Sequence, residues 1–134
     1  MRIALLDTYY PRFLTDFYAA SPDRAAVPYR AQRDLLLAQV FGTSDFYSRH
    51  LKDLGHEAED FIVNAGALQT AWAAEAGFRY SELRLKLPNR LANIPFIDSL
   101  MPGLAEIATA QIKAYRPDVL YCQDLWFLSP RQLL

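Results

Sequence analysis

The stretch RIALLD, residues 2–7, decides the fold. Four consecutive apolar residues, Ile3 to Leu6, end at an acid and are followed by Thr-Tyr-Tyr-Pro. A short continuous apolar run of this kind is typical of a strand that is buried on both faces, as in parallel sheets covered by helices. The chain is therefore predicted to begin with a central strand of an α/β domain.

Predicted helices and strands alternate along the rest of the chain. Gly55 is placed as a left-handed helix end, and Pro102 as a helix start. The predicted elements are a helix near 29–40, an amphipathic helix capped by the side chains of Thr43-Ser44-Asp45 and buried through Tyr47, His50, Leu51 and Leu54, a strand at 58–63, an Ala-rich helix at 67–76, a helix at 102–115 and a strand at 118–122.

Two stretches depart from this alternation. Residues 11–42 form a long aromatic excursion after the first strand, and extensions of this length more often carry function or contacts than short βα loops do. Residues 78–95 show no clean period and receive no assignment.

Strands that alternate with helices form parallel sheets through right-handed crossovers. We therefore predict a three-layer α/β sandwich with a parallel, Rossmann-like sheet, built as one domain over residues 1–134. Ser129-Pro130 resembles a helix start with only four residues after it. This gives the expectation that the domain is part of a longer polypeptide.

Composition restricts the function classes. Fourteen Lys and Arg residues against fifteen Asp and Glu residues leave a net charge of −1, so nucleic acid is not an expected partner. One cysteine, Cys122, and two histidines provide neither a disulfide framework nor a protein-only metal site. No apolar run approaches the roughly 20 residues that cross a bilayer. A cytoplasmic location is the expectation.

Polar or aromatic residues follow each predicted strand. Ligands of open α/β sheets bind beyond the carboxyl ends of the strands, so these exits are the candidate site. The three exits are Asp7-Thr8-Tyr9-Tyr10, Asn64-Ala65-Gly66 and Gln123-Asp124-Leu125-Trp126.

Several of these residues admit both a functional and a structural interpretation. Asp7 and Asp124 lie close together if their strands are adjacent, where one can act as a general base; alternatively, each bonds local backbone N–H groups. The Gly42-Thr43-Ser44 segment offers backbone N–H groups to an anion, or is only a hinge.

The remaining candidates are aromatic or titratable. Tyr9, Tyr10 and Trp126 are candidate walls of a ligand site, whereas Phe13 and Phe17 are expected to be buried. The other three expectations are a hydrogen-bonded core position for His50, a bond from His56 to the last helix carbonyls, and a buried, unreactive strand position for Cys122.

The order of these features resembles the N-terminal domain of GT-B fold glycosyltransferases (group 1, family 4-like). The matching segments are the strand at 2–7, the glycine loop Phe41-Gly42-Thr43-Ser44, the Gly55-His56-Glu57 turn, and residues 114–121, where a helix ends, Pro-Asp follows and a strand begins. In two places the chain departs from the family: the loop has one glycine instead of two, and Cys122-Gln123-Asp124 stands where a histidine is often found.

The resemblance implies an acceptor-side domain of an enzyme that transfers a sugar from a nucleotide-sugar donor. Gly42 and Thr43 then face the donor diphosphate, and Asp124 is the catalytic residue. Asp7, Tyr9, Tyr10 and Trp126 contribute to the acceptor wall. No further cofactor is implied, because a C-terminal domain of the same polypeptide binds most of the donor. The alternative is a stand-alone flavodoxin-like binding or protein-interaction module without catalysis.

Overall fold

A computed structural model describes residues 1–80 and 102–124 of the chain. Within these residues strands and helices alternate as predicted, with an additional helical region after the first strand. The elements are β1 (Arg2–Asp7), α1 (Pro11–Ala20), a 3₁₀ helix (Pro22–Ala26), α2 (Tyr29–Leu37), α3 (Phe46–Asp53), β2 (Glu57–Ile62), α4 (Gly66–Glu75), α5 (Pro102–Tyr115) and β3 (Val119–Cys122).

The three strands form a parallel sheet in the order β2-β1-β3. Leu5 of β1 is paired with Asp60 of β2 on one side and with Tyr121 of β3 on the other. Because β1 has a neighbour on both sides, its residues Ile3 to Leu6 are all buried. The prediction that RIALLD is a central strand is confirmed.

Helices cover both faces of the sheet. Ala4 and Leu6 point to the face that packs against Leu104 and Ala108 of α5. Residues in alternate positions of a strand point to opposite faces. On the opposite face, Ile3, Leu5 and Ala58 form a cluster against which Leu51 of α3 packs. The α/β class with a parallel, Rossmann-like sheet between helical layers is confirmed.

The excursion after β1 is helical, which the sequence analysis did not predict for its first half. Pro11 opens α1 at a position where its missing N–H and fixed φ are tolerated. Leu14 and Phe17, three residues apart, then share the buried face of the helix. This face joins Tyr29 of α2 in a second core cluster. The excursion thus builds core, and the expected burial of Phe17 is confirmed.

The helix predicted after Gly42 exists, but its predicted side-chain caps are wrong. Asp45 is the N-cap residue, and its side chain makes no capping hydrogen bond. The hydroxyl of Ser44 donates instead to the carbonyl of Leu37 in α2. Ser44 has a positive φ of 47°, so the chain turns sharply before α3 begins. Ser44, which was predicted to cap α3, instead links the segment before α3 to the end of α2.

The predicted buried face of α3 is also wrong. Tyr47 and Leu54 are 39% and 73% exposed, and His50 is exposed as well. Leu51 packs against the sheet, and Ser48 is the fully buried residue of the helix. The periodicity identified residues that share one side of the helix, but the core of the sheet is contacted by Leu51, whereas Tyr47 contacts the exposed ring of Tyr121.

The end of α3 follows the prediction closely. Gly55 has φ +83°, the left-handed conformation that favours glycine. Its N–H donates to the carbonyl of Lys52, and the N–H of His56 donates to that of Leu51. This pair of bonds is the Schellman motif. The expected bond from His56 to a helix carbonyl is confirmed through its main chain.

Some predictions fall on residues outside the described ranges. They concern Trp126, the Ser129-Pro130 helix start and residues 81–95 of the unassigned stretch. None of the helices at 1–80 and 102–124 combines the length and the apolar content needed to cross a membrane.

Candidate functional site

The carboxyl ends of β1 and β3 lie at the point where the strand order of the sheet reverses. The chain leaves β1 and reaches β2 on one side, then returns across β1 to form β3 on the other side. Crevices at such switch points are the usual ligand sites of open α/β sheets. The strands that end in Asp7 and precede Asp124 are adjacent, as the prediction requires.

Thr8 joins the two acids at this edge. Its backbone N–H donates to Oδ1 of Asp7 at 2.8 Å, and its hydroxyl donates to Oδ2 of Asp124 at 2.7 Å. The N–H of Gln123 donates to the carbonyl of Leu6 at 2.9 Å, which extends the strand pairing up to the acids. The structural interpretation of Asp7 is realised, because it bonds a local N–H, and the predicted nearness of Asp7 to Asp124 is observed; a role as general base stays a prediction.

The Asp7 carboxyl is electrostatically disfavoured as an anion. Burial raises its pKa above the ordinary value, and the nearby charge of Asp124 raises it further, while the N–H of Thr8 acts in the opposite direction. Asp124 is half-buried. Perturbed carboxyl groups in a cleft are candidates for acid–base chemistry.

The second strand exit joins the same edge. Asn64, just beyond β2, accepts the backbone N–H of Tyr9 at 2.9 Å and donates its amide to the carbonyl of Tyr9 at 2.6 Å. These two bonds fix the path by which the chain leaves β1. Asn64 is a positioning residue of this edge.

Gly42 and Thr43 lie at this edge as well. The Thr43 hydroxyl donates to Oε1 of Gln123 at 3.0 Å and so ties the loop before α3 to the end of β3. Gly42 has φ +59°, which supports the hinge interpretation. A Cβ at Gly42 would meet no atom within 4 Å, so the space beside it is open.

We define the carboxyl edge by its six hydrogen-bonded side chains: Asp7, Thr8, Thr43, Asn64, Gln123 and Asp124. They comprise two carboxyls, two hydroxyls and two amides, and none is a cation. These six side chains therefore offer an anion no positive charge. The set suits a neutral ligand rich in hydroxyl groups better than a diphosphate.

The aromatic residues of the first exit separate into one core residue and one surface residue. Tyr9 is 2% exposed and packs against Phe13 and Phe41, so it does not form a ligand wall as predicted. Burial raises its pKa to about 12. Tyr10 is 73% exposed and meets Phe41 edge-on with ring centroids 5.5 Å apart, which leaves it as a wall facing solvent.

The other titratable candidates do not join the edge as catalytic groups. His50 is exposed, contrary to the predicted core position, and its Nδ1 lies 2.7 Å from the carbonyl of Phe46. Cys122 lies in β3 but is only half-buried; burial raises the pKa of its thiol. In residues 1–80 and 102–124 no three His, Cys, Asp or Glu side chains are grouped to hold a metal ion.

Sequence analysis missed a second polar region, which we call the charged groove. It is a cleft of about 470 Å³ at β2, between α2 and α3. Arg33 of α2 pairs there with Glu59, and Ser48 of α3 donates to Asp60. The lining charged residues are Arg30, Arg33, Asp34, Asp45, Lys52, Glu57, Glu59 and Asp60, together with His56.

Asp60 is more deeply buried than Asp7, which is half-buried, and its surroundings differ. It is 7% exposed, and burial raises its pKa. The Ser48 hydroxyl and the charges of Lys52 and Arg33 lower the pKa and offset part of that cost. The anion of Asp60 is therefore compensated in part by neighbours within the fold, while the charge of Asp45 acts in the same direction as burial.

Comparisons of the chain with protein-family models, curated proteins and solved structures find no match.

Proposed function

We propose that this chain is the acceptor-side domain of a glycosyltransferase that transfers a sugar from a nucleotide-sugar donor. The observation that carries the proposal is the meeting of Asp7 and Asp124 at the switch point, joined through Thr8. A paired acid at the crevice of a parallel sheet can take the proton of a ligand hydroxyl. The resemblance described above points to the same edge.

Asp124 is the general base of the proposed reaction. It accepts the proton of the acceptor hydroxyl while that oxygen bonds to the donor sugar carbon and the nucleoside diphosphate departs with the bonding electrons. Asp7, whose pKa is raised by burial, is its neighbour at the edge. Tyr10 offers an exposed ring beside the edge, against which a sugar face can stack.

The donor is assigned mainly to a second domain of the same polypeptide. The carboxyl edge carries two acids and no cation among its six side chains, which disfavours tight binding of a diphosphate. Gly42 and Thr43 contribute backbone N–H groups from an open loop, a weak anion contact beside the start of α3. Catalysis then requires both domains to meet around the two substrates.

A second candidate is a binding or protein-interaction module without catalysis. The observation that favours it is an apolar surface on α3 and β3, where Phe46, Val119 and Tyr121 are each more than 40% exposed. Tyr47 contacts Tyr121 with ring centroids 5.8 Å apart, so the two elements present one surface. Exposed apolar patches often mark interaction sites.

Calorimetry on the 134-residue chain tests the proposal. Nucleotide sugars such as UDP-glucose are expected to bind no tighter than about 1 mM, about −4 kcal/mol, whereas a panel of mono- and disaccharides should contain a binder. A sub-micromolar Kd for a nucleotide sugar would overturn the assignment of donor binding to a second domain. A stable, monodisperse chain that binds neither class would favour the interaction module.

A further inference from the structure

Thr8 bonds two different acids through two different groups. The backbone N–H reaches Asp7, the neighbour in sequence, and cannot be removed by changing the side chain. The hydroxyl reaches Asp124, which is 116 residues away along the chain. The side chain of Thr8 thus has one long-range polar contact, made to the acid that the proposed function needs as a base.

Two carboxyl groups at one edge repel each other when both are ionised. Asp124 lies just beyond β3, a strand of four residues, and is half-buried. Holding a side chain in one rotamer beside a like charge costs both conformational entropy and Coulomb energy. A hydrogen bond to a charged group is stronger than one between neutral groups and can offset such a cost.

We propose that Thr8 is the positioning residue of the carboxyl edge: its hydroxyl tethers the Asp124 carboxylate beside Asp7, which its own amide holds in place. The inference rests on the proposed function for its catalytic consequence, since Thr8 acts on the reaction only through Asp124. The tether itself is independent of any reaction.

The titration of Asp7 reports the tether, because the charge of Asp124 raises the pKa of Asp7. With ¹³C-carboxyl-labelled aspartate in the 134-residue chain, NMR follows the midpoint of Asp7 as pH is changed. Asp124→Asn removes the charge and should lower the midpoint. Thr8→Val keeps the shape of the side chain and the amide but removes the hydrogen bond to Asp124, so it should lower the midpoint by a smaller amount.

Matched variants separate the tether from a general effect on folding. Thr8→Ser retains the hydroxyl and should restore the wild-type midpoint. Thr15→Val removes a hydroxyl that bonds only within α1, to the carbonyl of Pro11, and should change nothing. Thr8→Ala replaces Thr8→Val if the latter fails to fold, as judged by the dispersion of its amide spectrum.

An Asp7 midpoint that falls with Asp124→Asn but stays at the wild-type value in both Thr8→Val and Thr8→Ala would overturn the tether. So would a midpoint in Thr8→Ser that matches Thr8→Val. These titrations contain no sugar, so their failure is distinct from that of the proposed function, which fails when saccharides do not bind. In a transfer assay Thr8→Val should lower kcat about 10- to 100-fold with little change in KM.

Discussion

The charged groove holds a buried acid and the carboxyl edge holds two half-buried acids, and the surroundings of these acids differ. In the groove, Glu59 pairs with Arg33, and Asp60 receives the Ser48 hydroxyl and lies near Lys52. At the edge, Asp7 faces a second carboxyl group. Burial raises the pKa of both Asp7 and Asp60, so burial alone does not distinguish the regions.

The difference is the basis for assigning the two regions different roles in the proposed function. Charges with partners inside the fold favour a structural role, whereas perturbed carboxyl groups at an edge of strand ends are candidates for ligand chemistry. Changes in the groove should therefore lower stability, and changes at the edge should lower function. The following predictions order these effects by size.

The largest expected effect is loss of stability on breaking the ion pair in the groove. The side chains of Arg33 and Glu59 are 14% and 25% exposed, so Arg33→Ala leaves a largely buried carboxylate without its partner. We expect the free energy of unfolding to fall by about 3 kcal/mol in urea denaturation. Arg30→Ala, an exposed arginine of the same groove, is the control and should change it by less than about 0.5 kcal/mol. Equal, small losses in both variants would show that the pair is not structural.

The next effect is on turnover at the edge. In the two-domain polypeptide, Asp124→Ala should lower release of the nucleoside diphosphate by about 100-fold, the size expected on removing a general base. The free energy of unfolding should change by less than about 1 kcal/mol, because Asp124 is only half-buried. A loss of stability comparable with the loss of turnover would favour a purely structural role in capping the local backbone.

A smaller effect, of opposite sign, is expected for Asp7→Asn. Because the folded-state pKa of Asp7 is raised above 3.8, the folded chain holds this proton more tightly than the unfolded chain. The contribution of Asp7 to the free energy of unfolding is fully present below pH 3.8 and is lost as pH rises through the raised pKa of this group. The variant should therefore be more stable than wild type at pH 7, by up to about 1 kcal/mol, with no such gain at pH 3. Thermal unfolding at both pH values measures this, and a less stable variant at pH 7 would contradict the sign.

The smallest effect concerns the exposed ring beside the edge. Tyr10→Ala should weaken saccharide binding about fivefold in calorimetry, since an aromatic contact contributes about 1 kcal/mol. Tyr10→Phe retains the ring and is the matched control, expected to bind as wild type. Identical affinities for Tyr10→Ala and wild type would remove Tyr10 from the acceptor wall.

The sequence predicted what depends on local pattern. The apolar run at 2–7 identified the central strand, and the Pro102 start and Tyr115 end of α5 agree with the structure. The partial misreading of α3 has a physical cause: periodicity shows which residues share a face, but not whether another element covers that face. Tyr47 is 39% exposed although it contacts Tyr121 of β3, because that ring is itself 46% exposed.

For the candidate site, the sequence predicted which residues lie at the ends of the strands, but not the bonds between them. Chain order and the parallel sheet bring Asp7 and Asp124 to one edge, which the sequence anticipated. The partner of a hydroxyl is not encoded locally, so the bond from Thr8 across 116 residues was not predicted. The pairing of Arg33 with Glu59 joins a helix to a strand 26 residues later, and it was missed for the same reason.

Mapping the amide chemical-shift changes caused by a bound saccharide tests the central claim most directly, because it separates the two regions in one spectrum. The carboxyl edge is predicted to respond at Thr8, Tyr10, Thr43 and Asp124, with the response lost in Asp124→Asn. The groove should remain unchanged at Arg33 and Asp60. Shifts confined to the groove, or shifts at the edge that persist unchanged in Asp124→Asn, would contradict the assignment of the carboxyl edge as the acceptor site.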